Sequence, residues 1–286
     1  MNDPARFEAD WLSLREPADR AARSSELVER LRRWLATWPA GRCVDLGSGH
    51  GSNLRYLADH LPGALDWLLI DRDEDLLSRA SQQTIRTHPR LTVATRSLDL
   101  ADLRSTDIAD ARLVTASALF DLASRDWIHR LAASCRQVGA AVLFTLTVDG
   151  RRHFEDAAGE RLNGSDDACG DDAWMTGQFN AHQRRAKGLG DALGPDAARE
   201  LPIALNTAGF DVMGRASDWR LRAGEPQTLT LGKALLDGWR DAVLESAPEA
   251  STRVGRWHER RTRALAAGRI GLRVGHVDVL GLPPQQ

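Results

Sequence analysis

Residues Cys43-Val44-Asp45-Leu46-Gly47-Ser48-Gly49-His50-Gly51-Ser52-Asn53 constrain the fold more than any other stretch. Small and apolar residues run into three glycines at alternate positions, and a helical apolar pattern through Leu54, Tyr56, Leu57 and Leu61 follows. A buried strand, a tight turn and the start of a helix account for that order. The glycines serve the unusual φ values of the turn and let a ligand press on bare backbone. A strand-to-helix loop of this kind is a nucleotide-binding device.

Two details narrow the nucleotide. A dinucleotide fingerprint reads G-x-G-x-x-G and offers its helix N-terminus to a pyrophosphate. Here the spacing is G-x-G-x-G, and Asp45 stands two positions before the first glycine. Its carboxylate would repel a pyrophosphate and attract an ammonium group. The expected ligand is an adenosine joined to a zwitterionic or cationic group. Asp71 ends the apolar run Trp67-Leu68-Leu69-Ile70, 20 residues past Gly51. At the tip of a second strand it can accept both ribose hydroxyls. Asp99 follows the β-like run Leu91 to Thr95 and is placed to take the exocyclic amine of adenine.

The constellation resembles the class I S-adenosylmethionine (SAM)-dependent methyltransferases over roughly residues 40 to 148. Val44 to Gly51 matches their glycine-rich first motif, Asp71 the ribose acid, Asp99-Leu100 the adenine contact, and Val114 to Ala118 the fourth-strand motif. The resemblance implies a doubly wound α/β fold with a seven-stranded, mainly parallel sheet. A seventh strand should enter antiparallel between the fifth and sixth, and Leu272 to Leu280 can supply it. It also implies SAM as cofactor and S-adenosylhomocysteine as product. Asp45, Gly47, Ser48, Gly49 and Gly51 would then hold the methionine part, Asp71 the ribose and Asp99 the adenine. Asn53, Arg72, Leu100, Ala116 and Ser117 complete the cofactor-binding set. Many relatives close a pre-sheet helix over the cofactor and offer an arginine to its carboxylate. Arg23 takes that role here, with Arg15 and Arg20 in competition.

At 286 residues the chain can form one large domain with a substantial cap. Residues 1–39 read as a helical extension, with a break near Glu16-Pro17, and 40–150 as the SAM-binding core. After Asp149-Gly150 the strand–helix rhythm stops. Residues 151–194 look like an acceptor-binding lid without a long periodic segment, and 195–223 return to a core helix and strand. A helical insertion at 224–270 and a final core strand at 271–286 complete the plan.

A net charge of −2 gives no reason to expect nucleic acid or an anionic membrane as partner. Cys43, Cys135 and Cys169 have neither metal spacing nor a disulfide framework. The charged N-terminus, with no 18-residue apolar run anywhere, predicts a soluble cytoplasmic protein, monomeric or homodimeric.

Transfer of a methyl group asks for alignment, desolvation and, for some acceptors, removal of a proton. His182, His153 and Asp121 are the candidate catalytic groups. Phe120, Asn180, His182, Arg184, Lys187 and Trp219 are the candidate acceptor-binding residues, for a small polar metabolite that is anionic or carries an amine. No metal is expected, because the histidines lack the i, i+4 spacing of a zinc helix. The rival readings are an RNA or protein methyltransferase, a non-catalytic SAM-binding protein acting through partners, and an NAD-dependent oxidoreductase. Ser117-Ala118-Leu119-Phe120 stands where an Asn-Pro-Pro-Tyr-type motif would speak for a flipped base.

Overall fold

The computed structural model describes residues 9–37, 40–61, 65–162, 167–185 and 188–284, without the side chains of 167–169. Its centre is a single sheet. The strands are β1 (Gly41–Leu46), β2 (Leu65–Asp71), β3 (Val93–Ser97), β4 (Ala111–Ser117), β5 (Ala141–Glu155), β6 (Asp211–Ala216), β7 (Trp219–Leu221) and β8 (Gly271–Leu282). Their order is β3-β2-β1-β4-β5-β8-β6, with the short β7 also paired to β8. β1 to β5 are parallel, and β8 runs antiparallel between β5 and β6, as expected for the last strand. Among the described residues there are eight strands rather than seven, the addition being the three residues of β7.

Helices α1 (Ala9–Ala22), α2 (Ser25–Leu35), α3 (Ser52–Ala58), α4 (Glu74–Thr87), α5 (Arg125–Gln137), α6 (Asp167–Gln183), α7 (Ala197–Thr207), α8 (Pro226–Ser246) and α9 (Ser251–Ala266) surround it. The central strands are covered on both faces, which is why their sequences read as continuous apolar runs. Val44, Leu46, Val114 and Phe144 meet α5 and α7 on one side. Cys43, Leu69, Leu113 and Leu143 meet α2, α3 and α4 on the other. A third cluster joins α8 and α9 to Met175 of α6 and to the far ends of β5 and β8.

Two expectations are corrected. The N-terminal helix does not break at Glu16-Pro17. Pro17 lies inside α1, and the break comes at Arg23-Ser24 instead. A proline removes one intrahelical hydrogen bond. Burial of Ala18, the packing of Trp11 and Leu14, and the ion pairs of Arg15 and Glu16 outweigh that loss. The second correction concerns 151–194. β5 runs on to Glu155, and α6 fills much of the remainder. The polar residues that hid this helix are fixed by partners in the other insertion. Asp171 pairs with Arg253 and Arg260, and Asp172 pairs with Arg261 and accepts from the Trp257 indole. The two insertions therefore pack as one cap.

Candidate functional site

Leu46, Ile70 and Ala116 are register partners at the carboxyl ends of β1, β2 and β4. Gly47, Asp71 and Ser117, the next residues along each strand, consequently emerge at one edge of the sheet. A cleft opens there, lined by Gly47, Ser48, Gly49, Asn53, Asp71, Arg72, Asp99, Leu100 and Ser117 of the expected set. This is the edge at which ligands lie in doubly wound sheets.

The loop after β1 is held without help from a ligand. Ser48 N–H donates to the Ile70 carbonyl at 3.1 Å. Asp71 accepts from Gly49 N–H at 2.8 Å through Oδ2 and from Asp73 N–H at 3.0 Å through Oδ1. Gly49 has φ 51°, and a Cβ there would meet Leu12 Cδ1 of α1 at 3.2 Å. The glycine therefore answers both a left-handed turn and the close approach of the helix that roofs the cleft. Asp99 accepts from Ala101 N–H at 2.9 Å, and the Leu100 carbonyl is fixed by the Trp127 indole at 2.8 Å.

Arg23 and Asp45 do not line the cleft; they lie one side chain beneath it. The buried Arg23 guanidinium donates from Nη2 to Ser117 Oγ at 3.0 Å and rests over the Tyr56 ring. Its Nε and Nη1 have no hydrogen-bond partner. Burial depresses its pKa, with Asp19, Asp278 and Asp45 pulling the other way. Asp45 is fully buried and accepts from Asn53 Nδ2 at 2.7 Å, while its Oδ2 is unpartnered. Burial pushes its carboxyl up to about 7 against the effect of Asn53 and Arg23. Gly51 caps α3 with φ 82°, and Ala116 points into the sheet core, so neither touches the cleft.

The candidate catalytic groups lie elsewhere, on three different elements. His182, at the end of α6, faces Glu245 of α8 at 3.2 Å. His153 sits on the extension of β5 beside Glu155, and burial lowers its pKa. Asp121 belongs to the 3₁₀ turn Phe120–Leu122 and is not on the cleft lining. The acceptor set is also dispersed. Phe120 is completely buried against Phe144 and Trp127 in the core. Asn180 bonds Arg152 and the Gly150 carbonyl, and Arg184 pairs with Asp196. Trp219 is buried but reaches the cleft indirectly, donating its indole N–H to Asp19 at 3.0 Å. Lys187 lies outside the described residues.

In their place the cleft wall carries Leu12, Arg15 and Asp19 from α1, His50 from the glycine loop, and Gly188 and Leu189 from the cap. Among the described residues His50 is the one histidine on this lining. Its Nε2 lies 3.4 Å from Glu16 Oε2. Burial, then Arg55, lowers its pKa, with Glu16 opposing them. Glu16 is itself held by a two-pronged bond from Arg55, at 3.1 and 2.6 Å. The position of His50 between the second and third glycines was the available sequence signal. Ala118, also on the lining, has φ 53° although it is not glycine, as does Leu146 at φ 56° on the neighbouring strand. Strained backbone of this kind tends to sit at functional sites.

No protein-family model and no curated protein sequence matches the chain. Solved structures do. A phosphoethanolamine N-methyltransferase from Haemonchus contortus, bound to phosphomonomethylethanolamine and S-adenosylhomocysteine, is 14% identical with TM-score 0.47, covering 99% of this chain and 60% of its own. A cyclopropane synthase from Mycobacterium tuberculosis is 10% identical with TM-score 0.49, covering 96% and 94%. A SAM-dependent methyltransferase from Geobacter sulfurreducens with S-adenosylhomocysteine bound is 17% identical with TM-score 0.45, covering 97% and 99%. The strand order, the antiparallel β8 and the glycine loop at the end of β1 give this chain the Rossmann-like fold of class I SAM-dependent methyltransferases.

Proposed function

We propose that this protein is a SAM-dependent methyltransferase whose acceptor is a small polar molecule, anionic or amine-bearing. One observation carries the cofactor reading. Beneath one side of a single cleft lie two buried and incompletely partnered ionisable groups, the basic Arg23 and the acidic Asp45; Asp71 and Asp99 line the cleft itself. A carboxylate–ammonium pair joined to a nucleoside complements that layout. Buried polar atoms are ordinarily satisfied, so this many orphans around one cleft speak for a polar ligand. Arg23 would answer the carboxylate across Ser117, and Asp45 the ammonium across Asn53. Asp71 and Asp99 would take the ribose and the adenine.

SAM would supply a methyl group on a sulfonium sulfur. The chain's own contribution is to align an acceptor, keep water away and take up any proton released. Leu12, Ala118, Leu122 and Leu189 are the dry part of the wall. His50 replaces His182, His153 and Asp121 as candidate base. Its depressed pKa keeps the imidazole neutral near pH 7, and Glu16 is placed to stabilise the imidazolium formed when an acceptor N–H or O–H gives up its proton.

Calorimetric titration with S-adenosylhomocysteine, with NADH as control, tests the reading. Micromolar binding of the first and none of the second is expected. Binding of NADH instead would move the protein to the oxidoreductases, and silence towards both would remove the cofactor assignment.

A further inference from the structure

Asp278 is remote from every motif in the sequence and lies on β8, buried at 1% exposure. Its two oxygens serve two different elements. Oδ2 accepts from Ser24 N–H, at the joint between α1 and α2, at 2.8 Å. Oδ1 accepts from Leu146 N–H, in the irregular part of β5, also at 2.8 Å. Leu146 is one of the two left-handed non-glycine residues, and Ala118 is the other.

These contacts belong to a closed circuit. From Leu146 one peptide bond leads back to Thr145, whose carbonyl accepts from Ala118 N–H at 2.9 Å. From Ala118 one peptide bond leads back to Ser117, whose hydroxyl accepts from Arg23 at 3.0 Å. Arg23 precedes Ser24, and Ser24 returns to Asp278. Four hydrogen bonds and three peptide links thus bind the helix that roofs the cleft, the end of β4, the bend in β5 and the strand β8 into one ring. Two of its members, Ser117 and Ala118, line the cleft.

From this ring we infer that Asp278 is a positioning residue for cofactor binding, acting through Arg23 and the Ser117-Ala118 wall. The inference rests on the cofactor reading above. A carboxylate can accept from both backbone N–H groups at once, and it faces the Arg23 charge as well. It holds Leu146 and Ala118 in their strained conformations and fixes the joint from which Arg23 projects. An asparagine cannot do the same, because its amide nitrogen would confront one of the two N–H donors.

The test is a double-mutant cycle on S-adenosylhomocysteine affinity, measured calorimetrically on the whole chain, with thermal denaturation alongside. Asp278→Asn should weaken binding about tenfold or more. Arg23→Gln should also weaken it, and the double variant should bind no worse than the weaker single one, because both changes remove the same positioned guanidinium. A merely structural Asp278 would instead give losses that multiply. If Asp278→Asn does not fold, Ser117→Ala opens the ring at another link while sparing Asp278, and the same non-additivity with Arg23→Gln is expected. Wild-type protein silent towards the ligand overturns the cofactor reading and the positioning role together. Wild-type binding with an Asp278→Asn affinity within about twofold, or multiplying losses, overturns the positioning role alone.

Discussion

Asp71 Oδ2 accepts the Gly49 N–H at 2.8 Å, so the acid at the end of β2 braces the loop after β1 with the carboxylate that lines the cleft. The two motif residues are one unit before any ligand arrives. Asp71→Ala should lower S-adenosylhomocysteine affinity by about 1.5–3 kcal/mol, the range for hydrogen bonds to charged groups. Calorimetry on folded protein checks this, and unchanged affinity would refute the ribose role.

Asp45 makes stability depend on pH in an unusual direction for a carboxylate. Its folded-state pKa is raised by burial from 3.8 to about 7. Between those values the folded chain keeps a proton that the unfolded chain has released, so stability falls as pH rises. Asp45→Asn removes that slope. Urea denaturation should show the variant gaining about 1–3 kcal/mol on the wild type between roughly pH 5 and pH 8. An offset equal at both pH values would contradict it.

His276 carries the opposite sign. Burial, with Arg15 nearby, depresses its pKa from 6.5 to about 3, and its Nδ1 lies 3.0 Å from the Val274 carbonyl under the Trp219 ring. The unfolded imidazole takes a proton that the folded one refuses, so this contribution is present above about pH 6.5 and is lost as pH falls towards 3. His276→Gln should cost stability at neutral pH yet show a shallower acid loss, read from urea midpoints at about pH 7 and 4.5. Parallel acid profiles for the two proteins would count against it.

Glu16 ties the roofing helix to the glycine loop. It receives Arg55 at 2.6 and 3.1 Å, and Arg55 Nη1 in turn donates to the His50 carbonyl at 2.7 Å. Glu16→Gln leaves the nearly buried Arg55 without its anionic partner. Backbone amides of α1 should exchange faster with solvent, and S-adenosylhomocysteine should bind about 1 kcal/mol more weakly. Protection of α1 equal to wild type would show that the pair does not hold the roof.

The core was legible in the sequence because its signals are local. The glycine loop, Asp71 and Asp99 each follow directly on an apolar strand, and burial on both faces makes those strands continuous apolar runs. The α8–α9 part of the cap was legible as a helical insertion, but α6 was not. The hydrophobic periodicity of α6 is weak, and it is held by Asp171 and Asp172 reaching arginines more than 80 residues away. The same distance effect separates the expected base from the cleft. His182 stands in a conspicuous polar run and α6 turns it towards Glu245, whereas His50, inside the backbone motif, lines the cleft. Asp278 had no local signature at all, since its partners Ser24 and Leu146 are 254 and 132 residues away in the chain.

The long ribbon of β5 and β8 has a mechanical consequence. Glu155 faces Gly271 and Leu221 faces Leu272, so the chain leaves for the cap and comes back from it at one rung of the sheet. A second attachment lies at the cleft mouth, where Leu189 bridges to Ala123 and its carbonyl receives the Ser124 N–H. The cap is thus fastened to the sheet at this rung and again at the cleft wall, with the bonds of Asn180 to Arg152 and to the Gly150 carbonyl lying between.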